Sequence, residues 1–198
     1  MENNEKIKII TEVAIITAIA FGLDYLQGGL SRGLFTNGGS IGVAMIPIML
    51  LAFRRGYIPA LISGFILSTI QMVGGVYAIA NSWYNVLLQI ALDYILAYPL
   101  VAQAGLFYKK FQNAKTSKER IGWIIIGCVL GGMLKYVSHV LSGALFFSDL
   151  GYSLLYNGAY MIPNTIICTT IMVLILLKAP QLFLLSNKED NKEATINE

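Results

Sequence analysis

The stretch "GGMLKYVSHVLSG", residues 131–143, sets Lys135 and His139 four positions apart inside an otherwise apolar run. Residues spaced i and i+4 share one face of a helix, so both bases point the same way. A charged group at the centre of a membrane helix costs roughly 2.5–3.5 kcal/mol to insert, and such groups turn toward a bundle interior or a watered cavity. The fold therefore depends on whether the surrounding chain is membrane-embedded.

Outward from this stretch the chain is apolar almost throughout. Of its 198 residues 56% are hydrophobic and 13% charged, and the mean hydropathy is +0.66, whereas soluble domains carry about 25% charged residues. Six apolar segments can be drawn, at 7–29, 40–53, 57–73, 84–108, 121–147 and 152–178, and several reach the roughly 20 residues that a helical span requires. The expected fold is an all-α integral membrane protein with six transmembrane helices in residues 1–178 and a polar cytoplasmic tail in 179–198. The second segment is short, contains Pro47 and follows the glycine-rich "GLFTNGGS". A broken or partly re-entrant path is expected there, since lipid tolerates irregular backbone only where protein or a water-lined cavity covers it.

Lysines and arginines fix the orientation. With a cytoplasmic N-terminus one side collects twelve of them, from Lys6 and Lys8 through Arg54, Arg55 and the 109–120 cluster to Lys178, Lys188 and Lys192, while the other has only Arg32. The positive-inside bias then places both termini in the cytoplasm. The net charge of +3 thus marks segment ends and gives no basic stripe for nucleic acid. Glu2, Glu5 and Glu12 spoil the basic start that a signal peptide needs, so residues 7–29 are expected to remain as a first helix. Cys128 and Cys168 lie in apolar runs without metal-ligand or disulfide spacing.

This topology gives each polar group a depth. Lys135 falls near the midpoint of the fifth segment, with His139, Ser142 and Gly143 further out on the same face. Asp93 and Tyr94 lie slightly outward of centre in the fourth; Tyr152, Tyr156 and Asn157 lie in the outer half of the sixth. Three segments thus bring polar side chains to one level, which predicts an outward-facing pocket. The alternative is a structural Asp93–Lys135 ion pair with His139 as a core residue. Trp83, Tyr84, Phe146 and Phe147 add aromatic faces at that level, some of them belonging to the interfacial belt. Aromatic faces with one carboxylate suit a planar, cationic or nitrogen-rich ligand. On the first segment Ala14, Ala18 and Gly22 form a small-residue stripe that lets a helix approach closely, either within the chain or from a partner.

Catalysis finds little support. Ser138 and Ser142 flank His139 without a nucleophile elbow; no HExxH or paired glutamates supply a metal site, and no GxxxxGK[ST] supplies a nucleotide site. No enzyme activity, metal or cofactor is expected, and ATP-driven transport would need partners.

The blocks "GGSIGVAMIPIMLLAFRRG", "LLQIALDYILAYPLVAQAGLF", "LKYVSHVLSGALFF" and "YSLLYNGAYMIPN" together resemble the thiamine-specific substrate-binding subunits (S components, ThiT/YuaJ-like) of energy-coupling factor vitamin transporters. The resemblance implies a six-helix S component in the plasma membrane of a bacterium, Gram-positive by family, which binds thiamine from outside and docks on a transmembrane coupling protein carrying two ATPase subunits. It implies Asp93 as the acidic ligand, with Tyr94 beside it, Lys135, His139 and Gly143 on the fifth helix, Tyr152 and Asn157 on the sixth, and Phe147 among the stacking aromatics. Trp83 stands where a family tyrosine can stand and is expected to compensate for a tryptophan absent from "TNGG" and another replaced by Phe147. Ala14 and Ala18 fall in the family's docking motif. Some members carry glutamate at the position of Asp93. The loop 27–39 is expected to close as a lid. Other readings stay open: another vitamin or thiamine precursor on the same scaffold, or a stand-alone ion-coupled carrier using Asp93 and Lys135.

Overall fold

The computed structural model describes residues 2–31, 34–35 and 37–185; Arg32, Lys188, Lys192 and most of the polar tail lie outside them. Among the described residues the chain is helical with no strand. Helix α1 spans Glu2–Ser31, α2 Met45–Arg55 and α3 Tyr57–Val73. Helix α4, Trp83–Ile90, runs into a π-helical turn, Ala91–Ile95, followed by α5, Ala97–Val101, a 3-10 turn, Ala102–Phe107, and α6, Tyr108–Gln112. Helices α7, Ser117–Phe146, and α8, Leu150–Lys178, form an antiparallel hairpin.

By length and apolarity α1, α7 and α8 can each cross a membrane, and Trp83–Ile95 with Ala97–Gln112, bent by 41°, is together long and apolar enough for either a broken span or a re-entrant loop. Helix α2, at about 1.5 Å per residue, is only about half of a bilayer core. Before it, residues 37–44 run without helix, and side chains satisfy their backbone. Gly42 N–H donates to Asn164 Oδ1 (2.7 Å), Asn164 Nδ2 to the Ser40 carbonyl (2.7 Å), and Ala44 N–H to Gln27 Oε1 (3.1 Å). This substitution of side-chain partners for a helical ladder is what irregular backbone needs away from water. Gly28 and Gly29, expected in a loop, belong to α1.

Pro99 accounts for the bend. It offers no N–H to the carbonyl four residues back, and just ahead of it Leu96 N–H reaches the Ala91 carbonyl at 2.9 Å in place of Leu92. The freed Leu92 carbonyl accepts from Ser138 Oγ at 2.6 Å. Asp93 sits in this widened turn, and π-bulges of this kind frequently occur at functional sites.

Helices α7 and α8 approach closely where Gly143 faces Ser153 and Asn157. Asp149 caps α8 by accepting from Tyr152 N–H at 3.0 Å, and that bond holds its carboxyl below the ordinary carboxylate range. The core gathers Ile48, Leu51, Phe53, Leu67, Tyr98 and Phe111, all sealed from solvent, while Ile15, Ile19, Leu155, Ile166 and Leu177 stand exposed on the long helices. An apolar exterior of this extent requires lipid, and the chain is a multi-pass membrane protein.

At one end of the bundle Glu12 is gripped by two arginines: Arg54 Nε and Nη2 lie 3.1 Å from its oxygens, and Arg55 Nε and Nη2 at 2.7 and 2.8 Å. Arg54 Nη1 also donates to the carbonyls of Gln181 and Leu182 at 3.1 Å. The segment after α8 is thereby stapled to α1 and α2.

Candidate functional site

The other end of the bundle holds a cavity of about 300 Å³, at the lower end of the range of small-molecule sites. Asp93, Tyr94, Lys135 and His139 line it, as do Gly143, Phe147, Tyr152 and Asn157. The structure thus brings eight of the sequence-predicted binding residues into one hollow. Trp83 is not among them. It opens α4 at 76% exposure with its ring edge-on to Tyr84, because the first turn of that helix projects away from α7 and α8; Tyr84 and Phe146 likewise lie outside the lining.

Asp93 is the polar centre. Its Oδ1 lies 3.0 Å from His139 Nδ1, and its Oδ2 accepts from Ser142 Oγ at 2.5 Å. With the proton on Nδ1, the imidazole donates to the carboxylate and leaves Nε2 as an acceptor. Each carboxylate oxygen keeps a further lone pair, so Asp93 is oriented yet able to accept from a ligand. The two serine protons are committed, Ser142 to Asp93 and Ser138 to Leu92; neither hydroxyl is paired to the imidazole as a hydrolase nucleophile would be.

Lys135 departs from both sequence readings that tied it to Asp93. No Asp93–Lys135 ion pair forms; the ammonium lies 3.8 Å from the centroid of the Tyr98 ring. Geometry explains this. Moving one turn inward along α7 from His139 gives Lys135, and moving inward past Asp93 gives Tyr98, so the depth-matched partner of Lys135 is the tyrosine.

Asn157 reaches from α8 to α7. Its Nδ2 donates to the Ser153 carbonyl (2.9 Å) and the His139 carbonyl (3.3 Å), and its Oδ1 accepts from Tyr160. Aromatic rings form the walls: Tyr77 stacks on Phe147 at 6.0 Å and Tyr152 on Tyr156 at 5.7 Å. Two loops contribute to the lining of the hollow. Asn37 N–H donates to Tyr156 Oη (2.9 Å), which donates to the Gly38 carbonyl (2.8 Å); Tyr77 N–H donates to Tyr94 Oη (2.8 Å).

The sequence reading missed Asp24, Gln27, Gln71, Tyr98 and Asn164, which also line the cavity. Asp24, an acid inside the apolar "AIAFGLDYL", was a signal of the same kind as Asp93. Ala14 and Ala18 are exposed, whereas Val13, Thr17 and Ala20 face the core. The small-residue stripe is therefore not used to pack α1 inside this chain. Among the described residues no cluster of metal ligands occurs.

Comparison with known proteins agrees along nearly the whole chain. Residues 10–184 match the family described as Thiamine transporter protein (Thia_YuaJ). Thiamine transporter ThiT of Bacillus subtilis (strain 168) is 34% identical over 194 residues, 92% of this chain and 97% of its own. The protein of the same name from Lacticaseibacillus paracasei is 30% identical over 202 residues, 92% of this chain and 94% of its own. A solved structure of ThiT from Listeria monocytogenes superposes with a TM-score of 0.78 at 26% identity, covering 91% of this chain and all of that one.

Proposed function

The chain belongs to the Thia_YuaJ thiamine transporter family, and from that premise we propose that it is an S component that captures thiamine from outside for uptake driven by an energy-coupling partner. The observation that carries this reading is the Asp93 carboxylate, steered by His139 and Ser142 into a hollow walled by aromatic rings. Asp93 accepts from the exocyclic amine of the aminopyrimidine and attracts the thiazolium charge. Phe147, Tyr77 and Tyr152 offer ring faces, whose quadrupoles attract a cation. His139 Nε2 and Asn157 orient the ligand, with Asn157 locked by Ser153 and Tyr160. The loops at 37–44 and 74–82 serve as a lid over the bound molecule.

Six helical passes with both termini inside fit the lysine and arginine distribution, with α2 completed by the non-helical 37–44 stretch. Since the sequence contains no phosphate-binding loop for ATP, transport draws on a transmembrane coupling protein and two ATPase subunits. The exposed Ala14–Ala18 face, unused inside the chain and small enough to let a partner helix approach closely, is the proposed docking surface for that coupling protein.

Calorimetric titration of purified protein with thiamine tests the reading. Tryptophan quenching is a poor substitute, because Trp83 is exposed outside the cavity and Trp123 stacks on Phe107. Saturable heat is expected for the wild type. Asp93→Asn should weaken binding by roughly 30- to 150-fold, the equivalent of about 2–3 kcal/mol for a charge-assisted contact. No saturable heat in the wild type would reject thiamine as the ligand. Uptake into liposomes by this chain alone, driven by an ion gradient, would instead favour a secondary carrier.

A further inference from the structure

The strap that carries Tyr77 has no apolar anchor of its own. Residues 75–80, between α3 and α4, run without helix, and none of residues 74–82 is buried; Val76, Tyr77 and Ile79 are all exposed. A segment that buries so little is not held in place by packing. Yet Tyr77 lines the cavity and stacks on Phe147, so its position has to come from hydrogen bonds.

Two side chains of the element that follows supply them. Gln89, the one buried residue of α4, is sealed from solvent. Its Oε1 accepts from Ile79 N–H at 3.1 Å and from Ala80 N–H at 3.4 Å, while its Nε2 donates to the Tyr77 carbonyl at 3.3 Å. An inverted amide would set donor against donor and acceptor against acceptor, so the strap fixes the orientation of the amide as firmly as the amide fixes the strap. A buried amide is costly unless its groups are bonded, and three of the four hydrogen-bonding positions of Gln89 are engaged by residues 77–80. From the other side Tyr77 N–H donates to Tyr94 Oη at 2.8 Å. Both backbone polar groups of Tyr77 are therefore held, the carbonyl by Gln89 and the N–H by Tyr94. Gln89 itself is not among the residues that line the hollow.

The geometry points to Gln89 as a positioning residue for the ligand: through the backbone of residues 77–80 it keeps the Tyr77 ring in the cavity wall beside Phe147, without touching the bound molecule. This inference rests on the thiamine reading and adds to it a residue outside the hollow. A role in folding alone would affect binding whether or not the Tyr77 ring is present, whereas a positioning role disappears with that ring.

Calorimetry with thiamine on wild-type protein, Gln89→Met, Tyr77→Ala and the double variant tests it. Methionine keeps the length and helix tendency of glutamine and removes both amide groups. Gln89→Met should weaken binding about three- to tenfold, the strength of one cation–π face, and Tyr77→Ala by a similar factor. Added to Tyr77→Ala, Gln89→Met should cost less than about a further twofold, because the ring it positions is already gone. A loss below about twofold in either single variant overturns the inference, and so does a further loss of about twofold or more in the double variant, which is the pattern of a purely structural residue. If Gln89→Met does not fold, Gln89→Glu, which keeps an acceptor for the Ile79 and Ala80 N–H groups and lacks the amide donor to Tyr77, enters the same cycle under the same criteria. Wild-type protein that binds no thiamine rejects the thiamine reading and this inference with it; wild-type protein that binds thiamine while the cycle fails rejects this inference alone.

Discussion

Gly143→Ala probes whether the closeness of α7 and α8 builds the site. A methyl at residue 143 would collide with Ser153 Oγ and stand 3.1 Å from both Ser153 Cβ and Asn157 Nδ2. Ser153 is 1% exposed, so its hydroxyl has no solvent to move into. Turning it aside breaks its 2.8 Å bond to the Val140 carbonyl and the 3.1 Å bond it accepts from Asn157. Two neutral hydrogen bonds are worth about 1 kcal/mol each, and overpacking adds typically 1–3 kcal/mol. The sum is a destabilisation of about 3–5 kcal/mol if the helices hold their spacing, or less if they spread and carry Asn157 away from His139. Either route disturbs the amide that faces the ligand, which predicts about a fivefold or greater loss of thiamine affinity, the equivalent of one neutral hydrogen bond. Thermal inactivation in detergent and calorimetry read the two effects. In Gly143→Ala/Ser153→Ala the colliding oxygen is gone, so the pair should be less damaged than the summed single variants. A Gly143→Ala protein with wild-type stability and affinity, or strict additivity in the pair, would refute the reasoning.

Phe147→Trp should tighten thiamine binding by up to about fivefold, because indole is the better cation partner and a whole exposed cation–π contact is worth about 0.5–1 kcal/mol; calorimetry checks it. Replacing the exposed Ala14 and Ala18 by leucine should leave binding to the purified subunit unchanged and abolish uptake in cells that express the coupling partner, as measured with radiolabelled thiamine. Glu12→Gln removes the anion shared by Arg54 and Arg55 and should raise proteolytic cleavage of the 179–185 segment several-fold without changing thiamine affinity.

Much of the site is legible in the sequence because membrane insertion makes each polar residue costly, so Asp93, Lys135, His139 and Asn157 stand out against their surroundings. Depth along each helix follows from counting residues. Direction around the helix does not, which is why Trp83 faces outward despite its correct level. Asp24 is harder to read from the sequence, because its partners Gln71 and Tyr98 are 47 and 74 residues away. Pairing Lys135 with Asp93 followed charge alone; antiparallel stepping along α7 and the α4–α5 element sets Lys135 against Tyr98. The bundle of apolar helices was readable, but the π turn was not, since it arises from the joint demand of Pro99 and the Ser138 hydroxyl on one stretch of backbone.

That turn gives the Trp83–Gln112 element a phase change. One additional residue advances the helix by about 100° relative to ordinary winding, so α4 and α5 present different meridians to the same neighbours. Asp93 occupies the seam and can look into the hollow while Tyr98 beyond it packs into the interior. A single polypeptide strut thereby serves two masters: its upper half opens onto the hollow and its lower half grips the frame.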